Sequence, residues 1–214
     1  MGGRSVDRGR GPQAPLSTYR LPPGRHGIPP EQVVENQRWR LLGAAAEVLA
    51  ERGYAGTKSS DIARLAHVSR ATFYEHFENV ADCLLAAHEM AADCALDIVS
   101  GACEQGGEWT TRLGAAIDAT LHFLAAEPAL ARLFGAELSA GVPAVAISHR
   151  ELVSSLASLL AASRSGADAA RSASVEAQTH LIDGALMLIT DRVAAGDAET
   201  LPGLAQDLTA VFAA

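Results

Sequence analysis

Aromatic residues make up only 5% of this 214-residue chain, and alternating runs of β-branched residues are scarce. Both shortages argue against sheets. Alanine and leucine, the better helix formers, dominate instead. No apolar run approaches the roughly 20 residues needed to cross a bilayer as a helix, so no membrane partner is expected. The arginines near the N-terminus are not followed by an apolar stretch, and a secretory signal is not expected either. Cysteine is rare: Cys83, Cys94 and Cys103 are odd in number and unclustered, which fits a reducing cytoplasm better than a disulfide framework. Cys83 and Cys94 would lie about 16 Å apart along one helix, too far to share a metal. His88, His122, His149 and His180 are scattered, and no nucleophile elbow, phosphate loop or zinc spacing occurs. The expectation is a protein that is not an enzyme and carries no metal or cofactor.

Positive charge is also short, with a net charge of −8, and only the front of the chain is net positive. Residues 1–30 hold five arginines against one acid, residues 31–80 six bases against seven acids, and residues 81–214 six against seventeen. An acidic body repels phosphate and turns the opposite end of a molecule toward DNA. The rival reading is an arginine-bearing tail beside an ordinary acidic domain.

The chain divides at these composition shifts. Residues 1–30, rich in Gly, Pro and Arg, read as a disordered arm. Residues 31–78 read as three helices. The first starts near Glu31, with Leu41, Ala45, Val48 and Leu49 on one face, and ends at Gly53. The second runs from Lys58 to Ala66 with Thr57 as its N-cap. His67, Val68 and Ser69 form a turn, and Ser69 caps a third helix from Arg70 to about Phe77. Phe73 and Phe77 share its inner face, leaving Ala71, Thr72, Tyr74 and His76 outside. Two short helices so joined fit a helix-turn-helix that enters the major groove. Residues 79–214 read as a helical body: a long helix capped by Asn79, then helices near 109–126, 128–139, 143–164, 168–195 and 200–213.

Gly53-Tyr54, Thr57, Asp61-Ile62-Ala63, Val68-Ser69, Thr72-Phe73-Tyr74 and His76-Phe77 together resemble the DNA-binding domain of the TetR family of bacterial transcriptional regulators, over about residues 38–90. The resemblance implies an all-α protein whose N-terminal helix-turn-helix domain is followed by an effector-binding and dimerisation domain. It also implies a cytoplasmic homodimer, most often a repressor that leaves a palindromic operator when a small molecule binds. Carried over by position, Thr57 and Tyr74 match phosphate contacts, Arg70, Ala71 and Thr72 match contacts to bases or phosphates, and His76 matches a backbone contact. Two departures stand out. His67 occupies a turn position where the family usually has Gly, and Val80 one where it often has a phosphate-binding Lys. The amides at the start of the fourth helix or the arginine arm could replace that lysine.

Each site residue has a plainer rival. Arg70 can pair with guanine or simply sit on a phosphate, which most protein–DNA hydrogen bonds favour. Tyr74 can reach phosphate or only pack. Thr57 can be a cap alone, and Lys58 and Arg40, candidate phosphate partners, can be merely solvated cations. The arm can enter a minor groove or do nothing. In the body, Met90, Cys94, Trp109, His122, Phe123, Phe134, His180 and Met187 are candidates for an effector pocket, being large or polar among Ala and Leu. Leu84, His88, Ala91, Ala95 and Ile98 line the fourth helix, a rod suited to carry a pocket event to the DNA reader. The apolar stretch Leu181 to Val193 and the stripe Leu201, Leu204, Ala205, Leu208, Val211 and Phe212 point to a homodimer through the last two helices. The alternative, suggested by Val80 and the acidic balance of residues 31–80, is a helical partner-binding protein that keeps the motif without binding DNA.

Overall fold

The computed structural model describes residues 30–164 and 174–213. The arginine arm lies outside the described residues, as do the predicted break at Ser165-Gly166 and the start of the helix expected from residue 168. Among the described residues the chain is all helix, with no strand.

Helix α1 spans Pro30–Gly56. Its i, i+4, i+7, i+8 stripe buries as its spacing requires: Leu41, Ala45, Val48 and Leu49 are all 4% exposed or less. Each buried aliphatic side chain contributes about 1.5–3 kcal/mol. The expected end at Gly53 appears as a kink. Gly53 takes φ 66° and ψ 175°, which only glycine adopts cheaply, and one more turn follows. Helix α2 (Ser59–Leu65) and helix α3 (Arg70–His76) come next. Between them His67 adopts φ 53°, the left-handed turn that its place predicted. Ile62, Ala63 and Phe73 are buried behind the pair.

Helix α4 (Val80–Cys103) is about 36 Å long at the usual rise. Asn79 caps it, its side-chain oxygen accepting the Asp82 N–H at 2.9 Å. Leu84, Ala87, His88 and Ala91 are wholly buried along it. The body adds α5 (Trp109–Ala126), α6 (Pro128–Ala131), a 3-10 turn (Arg132–Phe134), α7 (Ala136–Gly141), α8 (Pro143–Ser163), α9 (Val175–Ala194), a 3-10 segment (Ala198–Leu204) and α10 (Ala205–Ala213). The single helix expected over 128–139 is broken, because Gly135 is extended at φ −70° and ψ 147°. The helix expected over 200–213 begins as 3-10 turns around Pro202, which has no N–H to donate.

One hydrophobic cluster runs from Leu41 in α1 through Phe73 and Leu84 to Phe212. Helix α4 packs against α1 on one side and α5 and α8 on the other. Helices α2 and α3 and the body therefore share a core through α1 and α4.

Candidate nucleic-acid interface

Helix α3 is held from behind and open in front. Phe73 is fully buried and Phe77 is 3% exposed, their rings 5.7 Å apart. The Arg38 guanidinium lies over the Phe77 ring at 4.8 Å. Ser69 caps α3 as its sequence position suggests: its hydroxyl accepts the Thr72 N–H at 2.9 Å and lies 3.0 Å from the Thr72 hydroxyl. Lys58, Ser69, Arg70, Ala71 and Tyr74 are exposed, while Thr72 and His76 are half-buried.

Tyr74 ties the two short helices together. Its ring meets Phe73 edge-on at 5.2 Å, and its hydroxyl shares a 3.0 Å hydrogen bond with Ser59 in the first turn of α2. That bond, then one with Arg70, draws the phenol below its usual pKa. Burial, and then the charge of Arg38, push the His76 imidazole below its usual value. Asp61, the acid of this turn, is bridged by Arg52 at 2.7 Å and Arg64 at 3.8 Å, which removes most of its repulsion toward a polyanion.

Three expectations change here. Thr57 does not cap α2; Lys58 stands at the N-cap without a side-chain bond. Thr57 is 8% exposed and donates its hydroxyl proton to the Gly53 carbonyl at 2.7 Å, so that proton is not free for a phosphate oxygen. Arg40 is not a loose surface cation either. It donates to the carbonyls of Ala66 and His67, the latter at 3.0 Å, and so ties α1 to the strained turn. At the start of α4, Asp82 accepts the Glu78 N–H at 3.0 Å while Asn79 takes that of Asp82. These caps occupy amides that were candidates to replace the lysine missing at Val80.

In the body, an apolar cavity of about 100 Å³ lies among α4, α5, α8, α9 and α10. Leu113, Leu121, Leu156, Ile182, Leu186 and Phe212 are among its walls. Thr120 also lines it, but donates its hydroxyl proton to the Ala116 carbonyl at 2.8 Å. Its apolar lining favours hydrocarbon over polar groups.

Residues 41–87 match the family described as bacterial regulatory proteins, tetR family. The resemblance to the TetR family is thus shown over residues 41–87. It is 32% identical over 90 residues to the HTH-type transcriptional activator FasR of Mycolicibacterium smegmatis, a match covering 42% of this chain and 41% of that protein. The matched stretch thus spans less than half the length of that curated relative. The whole fold is similar to the fatty acid degradation regulator FadR of Bacillus halodurans, with a TM-score of 0.67 and 20% identity over 87% of this chain and 96% of that one. FadR of Bacillus subtilis, solved with stearoyl-CoA, gives 0.61 at 19% identity, over 82% and 97%. A TetR-family regulator of Marinobacter aquaeolei gives 0.63 at 16%, over 83% and 97%.

None of the eight pocket candidates chosen from the sequence lines this cavity. Met90, Cys94, Trp109 and Phe134 are buried elsewhere in the core, and Phe123 is half-buried. His122 is exposed and bonded to its own helix. His180 and Met187 face outward on α9. Selecting large or polar residues found core and surface, whereas the cavity is walled by ordinary aliphatic residues that carry no signal in sequence. Its only legible trace is the Leu/Ile/Ala periodicity of α5 and α9.

The face of α4 that the sequence assigns to His88 carries a buried polar group. His88 is fully buried, its Nδ1 3.1 Å from the Ser148 hydroxyl and its ring 5.4 Å from Phe134. His149 Nε2 meets Asp183 at 3.2 Å, linking α8 to α9. Burial, and then the neighbouring His149, push the His88 pKa down to about 4. Burial likewise raises Cys83 to about 12 and Cys94 to about 11, so both thiols stay protonated and unreactive.

Proposed function

We propose that the chain is a dimeric transcriptional regulator that reads an operator with α3 and responds to an effector bearing a long aliphatic chain. The DNA reading rests on one observation above all: α3 keeps Arg70, Ala71 and Tyr74 exposed and Thr72 half-exposed while Phe73 and Phe77 anchor its back. In a major groove the Thr72 methyl and hydroxyl suit a thymine or another base edge, and Arg70 suits guanine or phosphate. Lys58, Ser69, Tyr74 and His76 would hold the sugar–phosphate backbone and set register. We place residues 31–78 in the reader and 79–214 in the body.

The effector proposal rests on the wholly apolar cavity, and on stearoyl-CoA in the similar FadR fold. A full acyl chain exceeds about 100 Å³, so its entry would spread α5 and α9 and displace α4. A ligand that prefers the spread state shifts the equilibrium by that preference alone. Release from DNA is the proposed sign of the response.

A second copy would dock on α8 and α9. Much of the last stripe is covered within the chain: Leu201, Leu204 and Phe212 are buried, and α10 packs on α5. Both helices expected to pair still expose apolar side chains, Val211 on α10 at 49% and a larger group on α9. Met187 is 61% and Leu188 38% exposed there, with Ile147 51% exposed on the adjoining α8. Paired α3 helices about 34 Å apart would read two half-sites.

The test is fluorescence anisotropy with DNA from upstream of the gene, across a salt series, with and without stearoyl-CoA. A salt-steep, sequence-preferring complex weakened by stearoyl-CoA is expected. Absence of any sequence-preferring complex would favour the partner-binding alternative instead.

A further inference from the structure

The kinked end of α1 is held by a six-residue helix of the body. Gly53, at φ 66° and ψ 175°, breaks the helical ladder, and the next amide needs a partner from elsewhere. That amide belongs to Tyr54, and the Glu137 carboxylate of α7 accepts it at 2.8 Å. The approach is so close that a Cβ on Gly53 would stand 2.6 Å from the Glu137 Oε1. At the other end of α7, the Tyr54 ring lies directly on Gly141, where a Cβ would run into the ring. One residue is thus gripped by its backbone and its side chain, both from α7.

What lies on either side of the grip gives it consequence. Two residues after Tyr54 the α1 helix ends at Gly56, and α2 begins at Ser59. Thr57 Oγ1 donates to Gly53 and Thr57 N to Tyr54, so the link into α2 has little freedom. On the body side, α7 follows the 3-10 turn Arg132–Phe134. Leu133 is fully buried, and Phe134 packs on His88 of α4. That turn also packs against α9, a wall of the cavity.

We infer that Glu137 and Gly141 are positioning residues for the DNA reader: through Tyr54, α7 sets the angle at which the α2–α3 unit leaves α1. It is a second lever on the reader, separate from α4. This rests on the DNA-binding reading for its consequence, but not for its geometry.

The test uses the full chain. Spin labels are placed through Glu75→Cys on α3 and Glu104→Cys beyond α4, both exposed positions, while the three native cysteines are buried. Labelled chain is diluted with unlabelled chain so that only distances within one chain are read. Glu137→Leu removes the acceptor, Gly141→Ala displaces the ring, and Glu137→Gln keeps an acceptor. Leu and Ala variants are expected to broaden or shift the label distance, with Gln close to wild type. DNA affinity should fall about fivefold, the low end of coupling between sites, with stearoyl-CoA affinity unchanged. A label distance unchanged in both Glu137→Leu and Gly141→Ala overturns the inference, whatever happens to DNA binding. A broadened distance in a protein that binds no DNA supports the grip and removes the regulator reading instead.

Discussion

Filling the cavity should stabilise the protein and silence its effector. Ala116 is 1% exposed and lines the space, so Ala116→Leu directs new methyl groups into it. An unfilled apolar cavity costs about 24 cal/mol per Å³, which for about 100 Å³ amounts to about 2.4 kcal/mol. Leucine adds three carbons, each giving about 0.8 kcal/mol when buried, so the transfer gain has the same size. Overpacking typically takes back about 1 kcal/mol or more. The net expectation is a gain of about 1 kcal/mol, or a Tm rise of about 2–4 °C for a chain of this length. Scanning calorimetry reads the first part. The second part is the Tm rise produced by stearoyl-CoA, which binding to the native state alone should cause and which Ala116→Leu should abolish. A variant that melts below wild type would show that the space is not a usable void. A variant that keeps the full stearoyl-CoA response would show that the acyl chain binds elsewhere.

Tyr74→Phe removes the hydroxyl shared with Ser59 and should weaken DNA binding severalfold without changing the melting of the body; unchanged anisotropy would contradict the phosphate role. Arg70→Ala should lower the salt slope of DNA binding by about one unit, whereas Arg40→Ala should leave the slope alone and destabilise the reader by about 1–2 kcal/mol, since its hydrogen bonds hold the His67 turn. Adding His67→Gly to Arg40→Ala should recover part of that loss, because glycine accepts φ 53° without strain; chemical denaturation measures both. His88 has its folded pKa depressed to about 4 from the ordinary 6.5, so the unfolded chain binds its proton first. The stability it contributes is complete above pH 6.5 and is lost as pH falls toward 4, by about 3 kcal/mol at 1.36 kcal/mol per unit. His88→Leu should flatten the stability–pH slope in that window by up to one proton, and an unchanged slope would refute the depressed pKa.

Local signals settled the reader. Phe73 and Phe77 four apart, Ser69 and Asn79 as caps, Gly53 at a positive φ and His67 in the left-handed turn were all readable, because each depends on a few neighbouring residues and on backbone sterics. So was the all-helical body, from the abundance of Ala and Leu and the spacing of apolar residues. The failures share a different cause. Thr57 looked like a cap because a threonine before a helix usually is one, but the kink at Gly53 turned its hydroxyl backward. Arg40 looked solvated because its carbonyl partners lie 26 and 27 residues away. Nothing local in the last stripe says that α5 of the same chain covers part of it and leaves Val211 open. The cavity, the buried His88 and the grip of α7 on Tyr54 arise only where helices distant in sequence meet. Periodicity tells which face of a helix is apolar; only packing decides which partner that face finds and where the fit leaves a gap.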